Sequence, residues 1–175
     1  MKELCLLINF LLFSNLFYSQ EIPWLVTDRP DVTESAVTIP IGFWQIETGF
    51  SFQSQKYSVN STVVENKNLH LGSTLIRNGI NEKMELRFGG EYFIGETILN
   101  SISQTTQGLD GLVVGSKYNF FNENNGEIIN QFACLVELQL PFGNQNLKPR
   151  NIEPAFSFAA GKTINDHLDL TVNIA

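Results

Sequence analysis

Alternation of apolar and polar residues with a period of two limits the fold of this chain more than any other feature. In the first such stretch, Ile46 and Phe50 fall on one side while Glu47 and Ser51 fall on the other. This alternation is typical of a β-strand with one apolar and one polar face. About seven strands are predicted: clear ones at 43–55, 82–95, 112–121, 130–140 and 167–175, and weaker ones at 68–76 and 152–161.

Charged residues within these stretches fall almost entirely on the polar side. Near the bilayer midplane, a charge on the lipid face of a barrel costs about 2–4 kcal/mol, whereas a polar interior accepts it. The pattern therefore favours a barrel with its apolar side toward lipid and a network of charges in its lumen. A soluble, lipocalin-like barrel that binds an apolar ligand and an ordinary β-sandwich also alternate, so both stay open. The strand residues of the predicted network are Glu47, Glu85, Arg87, Glu91, Lys117 and Glu137.

The connections between the predicted strands alternate in length. The longer ones are 56–67, 96–108 and 141–151, and the shorter ones are 77–82, 122–127 and 163–166. Outer-membrane barrels have short periplasmic turns and longer external loops, and a meander of hairpins places the two kinds in turn. The predicted fold class is therefore all-β, an antiparallel up-and-down transmembrane β-barrel. Because a small barrel can be filled by its own side chains, a plugged structural barrel is a second form of this prediction.

The first twenty residues have the layout of a secretory signal. Lys2 precedes an apolar run at 4–18, and small or polar residues follow at Ser19 and Gln20. The run is too short for a comfortable membrane span, so we expect export, cleavage near Ser19 or Gln20, and the outer membrane of a Gram-negative cell as the destination. The predicted divisions are a signal peptide at 1–20, an extended segment at 21–40 and barrel strands at 41–175.

The stretch TDRPDVTES at 27–35 concentrates charge just before the first strand. Pro30 fixes a local bend and biases the preceding residue toward an extended conformation. We hypothesise that this segment packs against the lumenal network or the periplasmic mouth of the barrel. A solvated linker, whose charges only keep it soluble, is the alternative. The charged residues of the segment are Asp28, Arg29, Asp31 and Glu34.

The chain carries TDRPDVTES at 27–35, GFWQIETGF at 42–50 and LIRNGINEKMELRFG at 75–89. Together these motifs resemble the exported, transporter-like family named for the MetA pathway of phenol degradation, in its Bacteroidetes form. The resemblance runs from about Thr27 to the end, and LQLPFGN at 138–144 is part of it. It implies an outer-membrane β-barrel that transports small compounds, hydrophobic or aromatic ones among them. The matching positions are 27–35, Gln45, Glu47, Gly49, Arg77, Gly79, Glu85, Arg87, Gly115 and Lys117.

The chain ends at Ala175 inside an apparent strand, and the predicted strand count is odd. Bacterial single-chain barrels have even strand numbers. We therefore expect a fragment that lacks several C-terminal strands.

Other classes of function find little support. The formal charge of −7 offers no basic surface for nucleic acid. His70 and His167 are the only histidines, and although His70 shares the lumenal side with Gly72 and Thr74, no hydrolase motif accompanies it. Phosphate loops, cysteine pairs and a calcium-loop spacing are absent from the sequence. We expect no enzymatic activity, cofactor or metal; outer-membrane lipid and a small solute are the expected partners.

Overall fold

The computed structural model describes residues 25–28, 33–59, 62–122, 128–165 and 168–175. They form an all-β fold in which seven antiparallel strands lie in chain order in one sheet, curled into a half-barrel. This confirms the predicted up-and-down arrangement. No helix among these residues is long and apolar enough to cross a bilayer. The strands are β1 (Trp44–Val59), β2 (Thr62–Asn81), β3 (Met84–Leu99), β4 (Ile102–Asn122), β5 (Gln131–Leu140), β6 (Glu153–Asn165) and β7 (Leu168–Ile174).

The two faces of the sheet differ sharply in polarity. On β1, Ile46 and Phe50 are 68% and 81% exposed, whereas Glu47 between them is 7% exposed. We call the first face the outer face and the second the inner face. Residues 25–28 and 33–40, which precede β1, lie across the inner face and form no strand of their own. We call these residues the strap.

Two of the predicted long loops are strand instead. Residues 56–59 are the end of β1 and residues 62–67 are the start of β2, and Lys56 faces Glu65. The stretch 96–108 belongs to β3 and β4, which join at Asn100 and Ser101, both with positive φ as in a tight hairpin turn. The loop predictions were wrong because the charged residues of these strand ends, such as Lys56, Glu65 and Glu96, lie on the side that is apolar elsewhere in the same strands, so the alternation does not continue. The third long connection, between β5 and β6, is present.

A bulge in β2 changes which residues face inward. The pairing with β1 skips Gly72, whose φ is +58°. On one side of the bulge His70 lies on the inner face, where its ring contacts Glu91. On the other side the hydroxyl of Thr74 lies 3.2 Å from that of Thr48 on the exposed outer face. Placing Thr74 on the lumenal side was therefore wrong, since strict alternation does not survive an inserted residue.

Candidate functional site

The strap is held by side chains of the strands instead of by strand pairing. The carbonyl oxygen of Val26 accepts hydrogen bonds from Arg77 Nη1 and Gln45 Nε2, each at 2.9 Å. The amide of Ile39 donates to Glu85 Oε2 at 2.8 Å. Buried backbone groups need partners, and an irregular segment has no ladder to supply them. The polar inner face therefore fixes the path of the strap.

At the centre of the strap, the Asp28 carboxylate meets three cations from three neighbouring strands. Its Oδ2 lies 2.5 Å from Lys117 Nζ, 2.6 Å from Arg87 Nη1 and 3.1 Å from Arg77 Nη2. Its Oδ1 accepts the amide of Ser35 at 2.8 Å. Asp28 and all three cations are at most 1% exposed. Side chains from three strands can converge on one atom because they line the concave side of a curled sheet.

The strands β1–β7 are called the wall of the half-barrel, and carboxylates of the wall hold Arg77 on its other sides. Its Nε and Nη2 donate to the two oxygens of Glu85, both at 2.9 Å, and its Nη1 donates to Glu47 Oε1 at 3.1 Å. Two parallel bonds between a guanidinium and a carboxylate are the strongest geometry available to such a pair. Arg77 thereby ties β1, β2 and β3 together.

Arg87 reaches in the opposite direction, toward β5 and the edge of the strap. Its Nε donates to Glu137 Oε1 at 3.0 Å, and its Nη2 donates to Glu34 Oε2 at 2.7 Å. Glu85 Oε1 also lies 3.2 Å from Arg87 Nη1, so this carboxylate bridges both arginines. The cluster of Asp28, Glu34, Glu47, Arg77, Glu85, Arg87, Lys117 and Glu137 is named the ion network below.

The ion network contains three cations and five carboxyl groups, and burial and the neighbouring charges shift the pKa values of its two strap carboxyls. Burial raises the pKa of Asp28, but the charges of Lys117, Arg77 and Arg87 outweigh it and hold the pKa at about 2. Burial also raises the pKa of Glu34, to about 7; Arg87 opposes the rise, and the charge of Asp28 adds to it. Asp28 is therefore firmly ionised, while Glu34 titrates near neutral pH.

The structure brings most of the predicted network residues together. Asp28, Glu34, Glu47, Glu85, Arg87, Lys117 and Glu137 are all in the ion network. Glu91 is apart from them, with its Oε1 2.7 Å from His70 Nδ1. Arg29 and Asp31 lie outside the described residues.

Arg77 is the network residue that the site prediction missed. The sequence places it in a predicted turn, but β2 continues to Asn81, and Arg77 is 0% exposed. Arg77 is seven residues after His70, so strict alternation would place it on the outer face. The bulge at Gly72 returns it to the inner face. Its match to the family motif was the one available signal.

Two glycines allow the strap and the wall to approach closely. A Cβ on Gly79 would collide with the carbonyl oxygens of Ile39 and Pro40 in the strap. A Cβ on Gly115 of β4 would lie 2.6 Å from the Val136 carbonyl oxygen and 2.7 Å from Glu137 Cγ. At both positions a side chain would displace partners of the ion network.

Fold and site together define an all-β half-barrel protein whose inner face carries a buried ion network closed by an N-terminal strap. Comparison of the chain with protein-family models, curated proteins and solved structures gave no match. The resemblance to the family of the MetA pathway stays a prediction. Within the described part of the chain, no group of three or more His, Cys, Asp or Glu side chains is arranged to hold a metal ion.

Proposed function

We propose that the chain forms the wall of a Gram-negative outer-membrane β-barrel that passes small compounds, and that residues 1–20 direct its export. The observation that carries the proposal is the sidedness of the sheet. Large apolar side chains are exposed on the outer face, while ionised side chains are buried on the inner face. Exposed apolar surface of this extent marks contact with a membrane or a partner. The most exposed outer-face residues of the first and sixth strands are Trp44, Ile46, Phe50, Phe52 and Phe156.

The length of the uncharged, apolar stretch on the outer face supports a membrane setting. On β1 the outer face is free of charge from Trp44 to Phe52, which is nine residues. Transmembrane β-strands need about 9–11 residues. Charged pairs begin on the same face just beyond: Lys56 faces Glu65, and Lys67 Nζ lies 3.0 Å from Glu65 Oε1. The remaining lengths of the first two strands would then extend into water.

A soluble, lipocalin-like protein requires the opposite arrangement. In that class the enclosed face must be apolar to bind an apolar ligand, and the outer face is wet. Here Arg77, Glu85 and Lys117, each 0% exposed, line the inner face. The membrane reading is therefore the better supported of the two.

Passage of small compounds is supported by the polar lining of the inner face, since side chains on a lumen wall select solutes by charge and size. The resemblance to the MetA-pathway family adds hydrophobic or aromatic solutes as the expected class. A plugged structural barrel is the second candidate. It is favoured by the strap, which covers the inner face from β1 to β4 through bonds to Glu47, Arg77, Glu85 and Asn119.

Fractionation of a Gram-negative host that expresses the full protein tests the membrane setting. We expect recovery in the outer membrane and extraction only with detergent; recovery in the soluble periplasm would contradict both membrane candidates. Conductance of the purified protein in planar bilayers then separates the two. Discrete channel openings support passage of solutes, whereas silence under all conditions leaves the plugged barrel.

A further inference from the structure

The ion network divides into groups that belong to the wall and groups that belong to the strap. Arg77, Arg87 and Lys117 project from β2, β3 and β4, and the carboxylate on which they converge belongs to the strap residue Asp28. We propose that these three cations form a binding site for a small monocarboxylate, and that Asp28 occupies it as a built-in ligand. The inference deepens the proposed function, on which it rests for the route by which a solute reaches the site.

Lys117 shows why the site needs a carboxylate from outside the wall. Its Nζ lies 2.5 Å from Asp28 Oδ2, whereas the wall carboxylate of Glu85 is 3.8 Å away. Its other partners, the Val37 carbonyl oxygen at 3.5 Å and Glu34 at 4.0 Å, also belong to the strap. With Asp28 removed, a fully buried ammonium would lack a close acceptor, which is strongly unfavourable. An anion that enters would supply the missing acceptor for Lys117.

The donors around Asp28 fit the two oxygens of a carboxylate. One oxygen accepts hydrogen bonds from Arg87 and Lys117 and forms an ion pair with Arg77 at 3.1 Å, and the other accepts from the amide of Ser35. An ionised carboxyl group has about four acceptor positions, and these contacts use both of its oxygens. A spherical anion such as chloride cannot reach the cations and the Ser35 amide in the same way. The geometry therefore selects formate or acetate over chloride.

Tethering explains why Asp28 holds the site in the intact protein. A ligand on the same chain acts at an effective concentration of about millimolar or more, so a free carboxylate competes poorly with it. Removing the carboxylate of Asp28 while keeping the strap should open the site to a free ligand. Alanine leaves space for a carboxylate at this position, whereas asparagine fills the same space with a neutral amide.

Chemical rescue of Asp28→Ala by sodium formate tests the proposal. The readout is the Tm of the refolded, detergent-solubilised full protein in formate and in sodium chloride at equal ionic strength. We expect Asp28→Ala to melt below wild type and to gain roughly 3–5 °C for each tenfold rise in formate above its Kd. Asp28→Asn and wild type should show no difference between the two salts. Equal Tm values of Asp28→Ala in both salts would overturn the proposal.

A variant that fails to refold still gives an answer. If Asp28→Ala refolds only when formate is present, the refolding yield itself supports the site. If it refolds in neither salt, Asp28→Gly decides by the same comparison, because it also leaves the carboxylate position between the three cations empty. Rescue by formate then supports the site, and its absence rejects it. These measurements are made in detergent and do not depend on conductance, so the two proposals can fail separately.

Discussion

Arg77 and Arg87 face each other directly across β2 and β3. Like charges at opposed positions in a sheet repel each other, and both guanidinium groups are buried. The pair is stable because Glu85 Oε1 accepts a hydrogen bond from each arginine, and Asp28 Oδ2 lies within 3.1 Å of both. The wall supplies one of these two bridging carboxylates, Glu85, and the strap supplies the other, Asp28. The strap is thus part of what allows the wall to carry its charges.

Removing Arg77 should be strongly destabilising. Arg77→Met leaves the buried carboxylates of Glu47 and Glu85 without their main partner, and breaking one side of a buried pair costs about 3–5 kcal/mol. The measurement is the urea midpoint of unfolding in detergent. Lys67→Met is the matched control, because it breaks an ion pair at the surface and should leave the midpoint unchanged. Similar midpoints for the two variants would show that the ion network does not hold the fold.

Gly79 should tolerate no side chain. In Gly79→Ala the new methyl group collides with the carbonyl oxygens of Ile39 and Pro40, so the strap must move away from β2. Overpacking of this kind costs about 1–3 kcal/mol. Limited proteolysis within the strap should become faster. Gly49→Ala on the neighbouring strand is the control, since nothing lies within 4 Å of its Cβ position. Equal cleavage rates would argue that the strap is not packed on Gly79.

Stability should respond to pH in opposite directions through the two strap carboxyls. The pKa of Glu34 rises on folding from 4.5 to about 7, so the folded state binds more protons and stability falls as pH rises between these values. The pKa of Asp28 falls on folding from 3.8 to about 2, so stability is lost as pH drops through this lower range. With respect to these two groups, the protein should be most stable at about pH 4.

Urea unfolding from acid to neutral pH checks this expectation with Glu34→Gln as the comparison. The variant cannot ionise at this position, so its unfolding free energy should not decrease between pH 4.5 and about 7, a decrease that in wild type is on the order of 1–3 kcal/mol. An identical slope in both proteins would mean that Glu34 does not titrate in this range. The loss of stability toward about pH 2 should persist in the variant, since Asp28 is retained.

The sequence predicts the sheet well because alternation reports directly on a strand with one apolar face. It fails at the ends of β1–β4, where Lys56, Glu65 and Glu96 are polar on a face that is elsewhere apolar. Strict alternation also predicts which charged residues lie on the inner face, and Glu85 and Arg87 are examples. Arg77 does not follow, because the bulge at Gly72 reverses the parity of β2. Nor does the convergence on Asp28 follow, because it depends on curvature and on the path of an irregular segment.

The sidedness of β1 yields the last prediction, through two adjacent residues. Phe50 is 81% exposed on the outer face, and Ser51 lies on the inner face opposite His70. In a membrane barrel Phe50→Arg places a charge in hydrocarbon at a cost of up to about 2–4 kcal/mol, whereas Ser51→Arg points the same side chain into a polar lumen. Folding into lipid vesicles, followed by the heat-dependent gel shift, should be impaired only in Phe50→Arg. If Ser51→Arg is the impaired variant, charge is excluded from the inner face, and the proposed orientation of the wall is reversed.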